Sequence, residues 1–472
     1  MAEIVVDYNK FDSLFHPSSI AMVGISADIS GAFMMRILLE YGFQGKVYPV
    51  NLSGREVLGL KAYTSVKDIP GPVDYAFLQV PAHAAIQVIR DCAAKGVKLA
   101  ALFSAGFSEG DKERGTELEQ ELVSIARQGG VRLLGPNCMG FYCPAARVTF
   151  CACSPRESGT VGALCQSGGN SIQLVRSAVQ RGIRFSKIIS YGNAADINEA
   201  DLLEYFAEDP ETKVIIAYVE GVKDGRRFFQ ALKAAAQAKP VIMLKGGQSE
   251  AGAAAAFSHT GSLAGARKIW DSLLKQAGTI QAYSIEECLD IALALLLMKP
   301  PHSRSAAVIG YGGGATVLAA DDCYRAELFL PPLPQTIKDE LKKVIPVTGN
   351  ILINPVDFTL LYLSPEKMAQ IVRIVGSWPG VDLLILHLRV ELTDTGLVEQ
   401  KLLEPLAEAF IGAAKEVNKP TALVVHAVYS VESYQGFLKV QQMCFDAGLP
   451  CYPSIQRAAS AIDKIIRYHQ TK

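Results

Sequence analysis

Short, almost wholly apolar runs recur along this chain, each ending in Gly, Pro, Asn or Ser and each followed by a helical pattern. This alternation limits the fold more than any other feature. The first run is Ile20-Ala21-Met22-Val23-Gly24, with a helical pattern from Phe33 to Leu39 after it; 45–51, 73–82 and 98–107 repeat the theme. A strand that is apolar on both faces must be covered on both faces, and the helices that return the chain to a parallel neighbour supply that cover. Further runs at 161–165, 186–192, 213–219, 240–247, 306–315, 381–388 and 421–426 predict an α/β protein of three doubly wound domains. The looser segment 142–158 and the Lys299-Pro300-Pro301-His302-Ser303 linker place the boundaries at 1–143, 144–300 and 301–472. Ligands of such sheets lie beyond the carboxyl ends of the strands, so those ends hold the candidate residues.

Charge and hydropathy remove several function classes. The 472 residues carry 46 Lys and Arg against 47 Asp and Glu, a formal charge of -1. No long-range field draws nucleic acid or an anionic membrane, so any phosphate is bound locally by loops. A mean hydropathy of +0.20 without a long apolar run suggests apolar surface covered by a partner chain. The longest such run, Ile291 to Met298, is too short to span a bilayer. Glu3 and Asp7 interrupt any secretion signal, and the expected location is cytoplasmic. The ten cysteines have no metal-ligand spacing, although Cys151 and Cys153 form a C-x-C pair. Reduced, mostly buried thiols and no metal site are expected.

Four strand ends in the second domain collect polar residues. Gln166-Ser167-Gly168-Gly169 opens a helix, where backbone N–H groups favour a phosphate. Gly192-Asn193 ends the next strand, and Glu220-Gly221 the one after. The fourth leads into Ala253-Ala254-Ala255-Ala256-Phe257-Ser258-His259-Thr260-Gly261-Ser262-Leu263-Ala264-Gly265, which sets a histidine among small residues. Two readings of that stretch stand: a loop in which Ser258 or Thr260 caps the helix beginning near Gly265, or a nucleophilic histidine that carries a phosphoryl group. His387 and His426, inside apolar strands, read as core histidines, and Asn354-Pro355-Val356-Asp357 as a turn or a site. The first loop lacks G-x-G-x-x-G, and Gly24 fits a tight turn as well as a ligand.

In family order, the stretch 258–265, Gly135-Pro136-Asn137-Cys138, Gln166-Ser167-Gly168-Gly169, Glu220-Gly221-Val222-Lys223-Asp224-Gly225-Arg226-Arg227 and Asn354-Pro355-Val356-Asp357 carry a resemblance. The chain resembles the α subunit of the NDP-forming acyl-CoA synthetases, relatives of succinyl-CoA synthetase. The resemblance implies a Rossmann-like domain binding coenzyme A, then a flavodoxin-like phosphohistidine domain and a second flavodoxin-like domain. His259 is then the phosphorylated residue, Glu220 the partner of its other ring nitrogen, and Ser167, Gly168 and Gly169, with Gly192 and Asn193, the phosphate-binding set. Preorganised donors of this kind contribute ~3–4 kcal/mol each to a barrier. Gly24, Ser26, Pro49, Asn51, Val80, Pro81, Ser104 and Gly106 become coenzyme A contacts, with Asn137 and Cys138 near the thioester. The first loop departs from the family: Ala27-Asp28-Ile29-Ser30-Gly31 offers no lysine for a phosphate. The family also implies an ATP-grasp β subunit holding Mg²⁺ and ADP/ATP or GDP/GTP.

The activity so implied is acyl-CoA + phosphate + NDP giving carboxylate + CoA + NTP, through an acyl phosphate and phospho-His259. Two rivals stand beside it. A non-catalytic acyl-CoA-binding scaffold would bind CoA without phosphorylation. An NAD(P)-dependent redox protein would place an acidic residue at the end of the second strand, where the sequence has Asn51.

Overall fold

The computed structural model describes residues 7–26, 28, 31–110, 113–260, 265–310, 312–345, 351–358, 364–390, 400–426 and 430–471, without the side chains of 257–260, 351 and 400. The apolar runs form three sheets. The first holds β1 (Ser19–Val23), β2 (Lys46–Val50), β3 (Tyr75–Leu78), β4 (Leu99–Leu102) and β5 (Arg132–Leu134), all parallel, in the order β2-β1-β3-β4-β5. The second contains β6 (Gly140–Tyr142), β7 (Val161–Cys165), β8 (Phe185–Ser190), β9 (Val214–Val219), β10 (Val241–Lys245) and β11 (Ile280–Ala282), in the order β11-β10-β9-β7-β8-β6. The third contains β12 (Ala306–Gly310), β13 (Ile351–Leu352), β14 (Val356–Asp357), β15 (Leu383–Leu388), β16 (Thr421–Val425) and β17 (Cys451–Tyr452), in the order β13-β14-β12-β15-β16-β17.

One winding underlies all three. The leading parallel strand of each sheet (β1, β7, β12) has its second strand on one side and its third on the other. The order reverses there, and the crevice above that reversal is where an open α/β sheet takes its ligand. To this pattern the second and third sheets add a short antiparallel strand, β6 on β8 and β13 on β14. β1, β4, β7 and β10 are buried throughout, the consequence of helices on both faces.

The chain gathers into two compact units, 1–179 with 183–288, and 180–182 with 289–472. The first unit thus contains two sheets, and the division falls at 288/289, before the Lys299-Pro300 linker. β6 also starts four residues before the expected 143/144 boundary and belongs to the second sheet. The second unit has its own core, in which Phe358, Met368, Phe410 and Leu386 are fully buried.

Within the first unit the two sheets are joined by polar contacts. Asn193, Ala195 and Ile197 donate their N–H groups to the carbonyls of Pro136, Gly135 and Leu133 at 3.0–3.1 Å. The buried Asp196 accepts from Arg132 Nε at 2.8 Å and Leu133 N at 3.0 Å. Lys187 on β8 is 1 % exposed; its Nζ lies 2.6 Å from Glu211, 3.3 Å from Asp209 and 3.7 Å from Asp12. A buried ammonium is tolerated only with such partners. The helix Tyr8–Asp12 brings Phe11 onto Tyr205, and Phe15 follows onto Tyr205 and Phe141.

Candidate functional site

The switch point of the first sheet opens a cavity of about 700 Å³ at the ends of β1, β2 and β3. Gly24, Ser26, Asn51, Val80 and Pro81, all expected from the sequence, line it. Gly24 has φ +83°, and a Cβ there would lie 2.6 Å from Gln79 O and Val80 Cγ1, so glycine keeps the floor open. Arg55, Gln79 and Gln87 also line it and were not anticipated. Arg55 is the single cation among the described lining residues, which also include Asp28 and Asp91. Asp28 accepts from Gly31 N at 2.7 Å and from the Ser26 hydroxyl. Ala27, Ile29 and Ser30 of that loop lie outside the described residues.

The other expected contacts lie elsewhere. Pro49 is a β2 residue paired with Met22. The Ser104 hydroxyl donates to Val80 O, and Gly106 N donates to Glu109 Oε1 at 2.6 Å. Asn137 N donates to Ser104 O at 3.0 Å. Cys138 is buried, which pushes its thiol up to about 12, and Sγ donates to Leu134 O at 3.3 Å. Such a thiol stays protonated near neutrality. The turn these residues form does connect the two sheets: Met139 N donates to Ser190 Oγ at 3.2 Å, and Met139 Cγ stands 2.6 Å from where a Cβ on Gly168 would be.

Gly168 begins the helix Gly168–Val179 at the second switch point, between β7 and β9. Ser167 Oγ accepts from Asn170 N at 3.3 Å. The N–H groups of the first helical turn have no carbonyl a turn earlier, and with the helix dipole they suit an anion. Gln166, 2 % exposed, reaches across to β9, where its Oε1 accepts from Glu220 N at 2.7 Å and Gly221 N at 3.2 Å. That bridge fixes Glu220 beside the helix N-terminus. Tyr218 Oη donates to Glu220 Oε1 at 3.0 Å, and burial raises the phenol above its ordinary range, so it remains a donor. Lys245, at the end of β10, donates to Glu220 O at 2.7 Å and to Gly246 O. Gln166, Tyr218 and Lys245 were not singled out from the sequence as site residues; each is one polar residue at the end of an apolar strand, and strand order alone makes them neighbours.

The segment bearing His259 departs from the expected loop. Residues 250–260 form the helix Glu250–Thr260, since four consecutive alanines favour helix, and His259 is its penultimate residue. The side chains of Ser258, His259 and Thr260, and residues 261–264, lie outside the described residues. The next helix, Arg267–Ala277, has Ala266 at its N-cap position, with no side-chain cap bond.

Gly192 and Asn193 depart from the expected phosphate site. A Cβ at Gly192 would meet Pro136 O at 2.2 Å, and Asn193 Nδ2 donates to Glu109 Oε2 at 2.5 Å and Glu119 Oε2 at 3.3 Å. The Asn193 amide is thus committed to two carboxylates at the junction of the two sheets. The cysteines differ too: Cys151 and Cys153 form a disulfide, their Cα atoms 5.3 Å apart, while the other eight are free and buried. In the second unit Asn354 is a clamp. Its Oδ1 accepts from Val308 N at 3.1 Å, its Nδ2 donates to Ala306 O at 2.8 Å, and Asp357 Oδ1 accepts from Gly312 N at 2.9 Å. His387 is buried, packs edge-to-face on His426, and is pushed down to about 3 by desolvation and by that neighbour. Among the described residues, no group of three or more His, Cys, Asp and Glu is placed to hold a metal, and no helix is long and apolar enough to cross a membrane.

Comparison with known proteins gives two family matches, a "CoA binding domain" over residues 18–144 and a "Succinyl-CoA ligase like flavodoxin domain" over 158–295. The chain is 36% identical to the α subunit of acetate–CoA ligase [ADP-forming] I of Pyrococcus furiosus, over 98% of both chains. It is 36% identical to acetate–CoA ligase [ADP-forming] I of Archaeoglobus fulgidus over 97% of its own length and 63% of that protein's. Among solved structures, the dinucleotide-forming acetyl-coenzyme A synthetase 1 of Ca. Korarchaeum cryptofilum, in complex with phosphate and ADP, superposes with a TM-score of 0.82 at 35% identity, covering 98% of this chain and 97% of that one.

Proposed function

The chain belongs to the ADP-forming acyl-CoA ligase family, and from that premise we propose that it carries the reaction acyl-CoA + phosphate + ADP ⇌ carboxylate + CoA + ATP through a phosphorylated His259. The observation that carries the histidine assignment is the joining of Glu220 to the Ser167–Gly169 helix N-terminus by one buried side chain, Gln166. A neutral imidazole nitrogen attacks the phosphorus of an acyl phosphate, and the carboxylate leaves. Glu220 accepts the hydrogen of the other ring nitrogen, selecting the tautomer and stabilising the ring as it becomes charged. The N–H groups of Gly168 and Gly169 receive the phosphoryl oxygens, where developing charge is best stabilised. In the next half-reaction ADP takes the phosphoryl group from the same nitrogen.

Coenzyme A binds in the cavity at the first switch point. Val23, Val80 and Pro81 offer apolar contact, Asn51 and Gln87 offer polar groups, and Arg55 offers a cation for a phosphate. The nucleotide half-reaction belongs to a partner of ATP-grasp type, which would hold ADP and Mg²⁺. In support, relatives of the same length are named α subunits, and a single-chain relative is longer by more than a third of its length. Among the described residues of this chain, no group of three or more His, Cys, Asp and Glu is placed to hold that metal. The rival readings, a non-catalytic scaffold and an NAD(P) protein, are not favoured by these relatives.

The test is incubation of the chain and its partner with ATP labelled at the γ-phosphate, and Mg²⁺. Acid-labile label is expected on this chain and is expected to disappear in His259→Asn. Equal labelling of the variant and wild type would overturn the assignment.

A further inference from the structure

The helix N-terminus assigned to the phosphoryl group has an apolar wall on one side and open space on the other. In a helix each Cα–Cβ bond tilts toward the N-terminus, so the points where Gly168 and Gly169 would carry a Cβ mark two sides of that mouth. At Gly168 the three nearest atoms all belong to Met139, with Cγ at 2.6 Å, Sδ at 3.4 Å and Cβ at 3.8 Å. At Gly169 the nearest atom is Ser167 Oγ, 3.9 Å away. Met139 is half-buried and Gly169 is exposed. The main chain of Met139 is fixed: its N–H donates to Oγ of the fully buried Ser190 at 3.2 Å, Cys138 N before it donates to Leu102 O at 3.1 Å, and Gly140 after it starts β6. A row of contacts also leads to this wall from the cavity assigned to coenzyme A. Val80 lines the cavity, the Ser104 hydroxyl donates to Val80 O, Asn137 N donates to Ser104 O, and the chain then reaches Met139.

We propose that Met139 is the wall against which the acyl group of the substrate lies, and that the substrate class is short aliphatic monocarboxylates. The inference rests on the phosphohistidine reading above. When an oxygen of phosphate bonds to the thioester carbon, the coenzyme A sulfur leaves and takes up the phosphate's proton as a thiol. The acyl carbon is then one oxygen away from a phosphorus held at Gly168 and Gly169, so the acyl chain extends from that mouth. Because Met139 touches the first residue of the helix, a chain that grows on that side meets the thioether within its first few carbons. An unbranched, polarisable thioether conforms to chains of different length, which suits a class of acids rather than a single one. The charges fixed near the mouth disfavour a second carboxylate. Glu220 is itself a carboxylate, set there by Gln166. The Lys245 ammonium is 4 % exposed, donates to the carbonyls of Glu220 and Gly246, and lies 4.9 Å from the Trp270 ring centroid. A carboxylate at the far end of the acyl chain would therefore lose water against the thioether without gaining a cation.

The experiment measures ADP release from ATP, CoA and a carboxylic acid by the chain assembled with its partner, in wild type, Met139→Ala and Met139→Trp. The acids are acetate, butyrate, hexanoate and succinate. Each result is read as a ratio of kcat/KM between two acids, which does not depend on the fraction of enzyme that is folded. Butyrate and succinate have equal chains that end in a methyl and a carboxylate, and wild type is expected to favour butyrate at least about tenfold. Met139→Ala is expected to raise the hexanoate-to-acetate ratio at least about fivefold, and Met139→Trp to lower the butyrate-to-acetate ratio by as much, since one methylene in a fitted apolar site is worth about tenfold or more. Smaller changes in these ratios overturn the role of Met139, and succinate used within about tenfold of butyrate by wild type overturns the substrate class. If Met139→Trp does not fold, the Met139→Ala ratio decides. His259→Asn with γ-labelled ATP keeps the two readings apart: retained label refutes the phosphohistidine reading itself, whereas lost label with unmoved ratios refutes only the role of Met139.

Discussion

Gln166→Leu tests the bridge that sets Glu220 in place. The side chain is 2 % exposed and accepts two main-chain N–H groups, from Glu220 and Gly221, both in buried residues. Leucine fills nearly the same space but accepts nothing, so the loss falls on the hydrogen bonds rather than on a cavity. Each stranded donor costs about 1–3 kcal/mol, and two give about 2–6 kcal/mol against folding of the first unit. Because the chain has two compact units, a whole-chain unfolding curve mixes them. The chain has two tryptophans, Trp270 in the first unit and Trp378 in the second, so urea unfolding by fluorescence in a Trp378→Phe background reports the first unit alone. Gln166→Glu provides the contrast, since a carboxylate accepts both N–H groups but adds a second negative charge beside Glu220. It should retain most of the stability lost by the leucine variant, yet label His259 more slowly than wild type. A loss in Gln166→Leu below about 0.5 kcal/mol would refute the reasoning, because surface substitutions away from any special contact reach that much.

Three further outcomes are expected. Lys187→Met leaves the fully buried Asp209 without its ammonium and should cost about 3–5 kcal/mol in urea unfolding, part of it restored by adding Asp209→Asn. His16 is raised to about 10, by its bond to Asp12 first and then by Cys143, so its stabilising effect is complete below pH ~6.5 and lost as pH rises through the folded value. The melting-temperature gap between wild type and His16→Gln should therefore shrink from pH 6 to pH 10.5, by a modest amount because the side chain is 34% exposed; a gap that widens contradicts the assignment. Gly24→Val places carbon against Gln79 O and Val80 and narrows the cavity, and calorimetry should find CoA binding weakened at least about tenfold while the unfolding midpoint reports any strain at φ +83°.

Strands buried on both faces were readable because such strands need no alternation, and a run such as Val161–Cys165 has no other soluble explanation. Ser167, Gly168 and Glu220 were readable for a related reason: polar residues at the ends of apolar runs mark strand ends. The helix Glu250–Thr260 was not, since small residues fit a loop as well as a helix until alanine propensity and the neighbours decide. Asn193 looked like a ligand residue because its sequence neighbours are a strand end and a glycine. Only the three-dimensional structure shows that Glu109 and Glu119 come from the other sheet to occupy it. Lys245 and Trp270 lie 25 residues apart with nothing in their spacing to link them. β5, of three residues, and β6, of three residues inside a Pro- and Cys-rich stretch, carry too little pattern to be seen alone.

That β6 pairs antiparallel with β8 bears on how this chain avoids sticking to its own copies. A parallel sheet that stops at β8 would leave the outward-facing N–H and C=O groups of that six-residue strand unpaired, a template for another strand. β6 covers residues 188–190 of that rim, β13 covers the corresponding rim on β14, and on the first sheet Pro49, with no N–H of its own, and Tyr63, which bonds to Pro49 and Asn51, blunt β2. A fragment cut at 143/144 would lose β6 and expose β8, so it should precipitate as it folds. One cut before Gly140 keeps its rim covered.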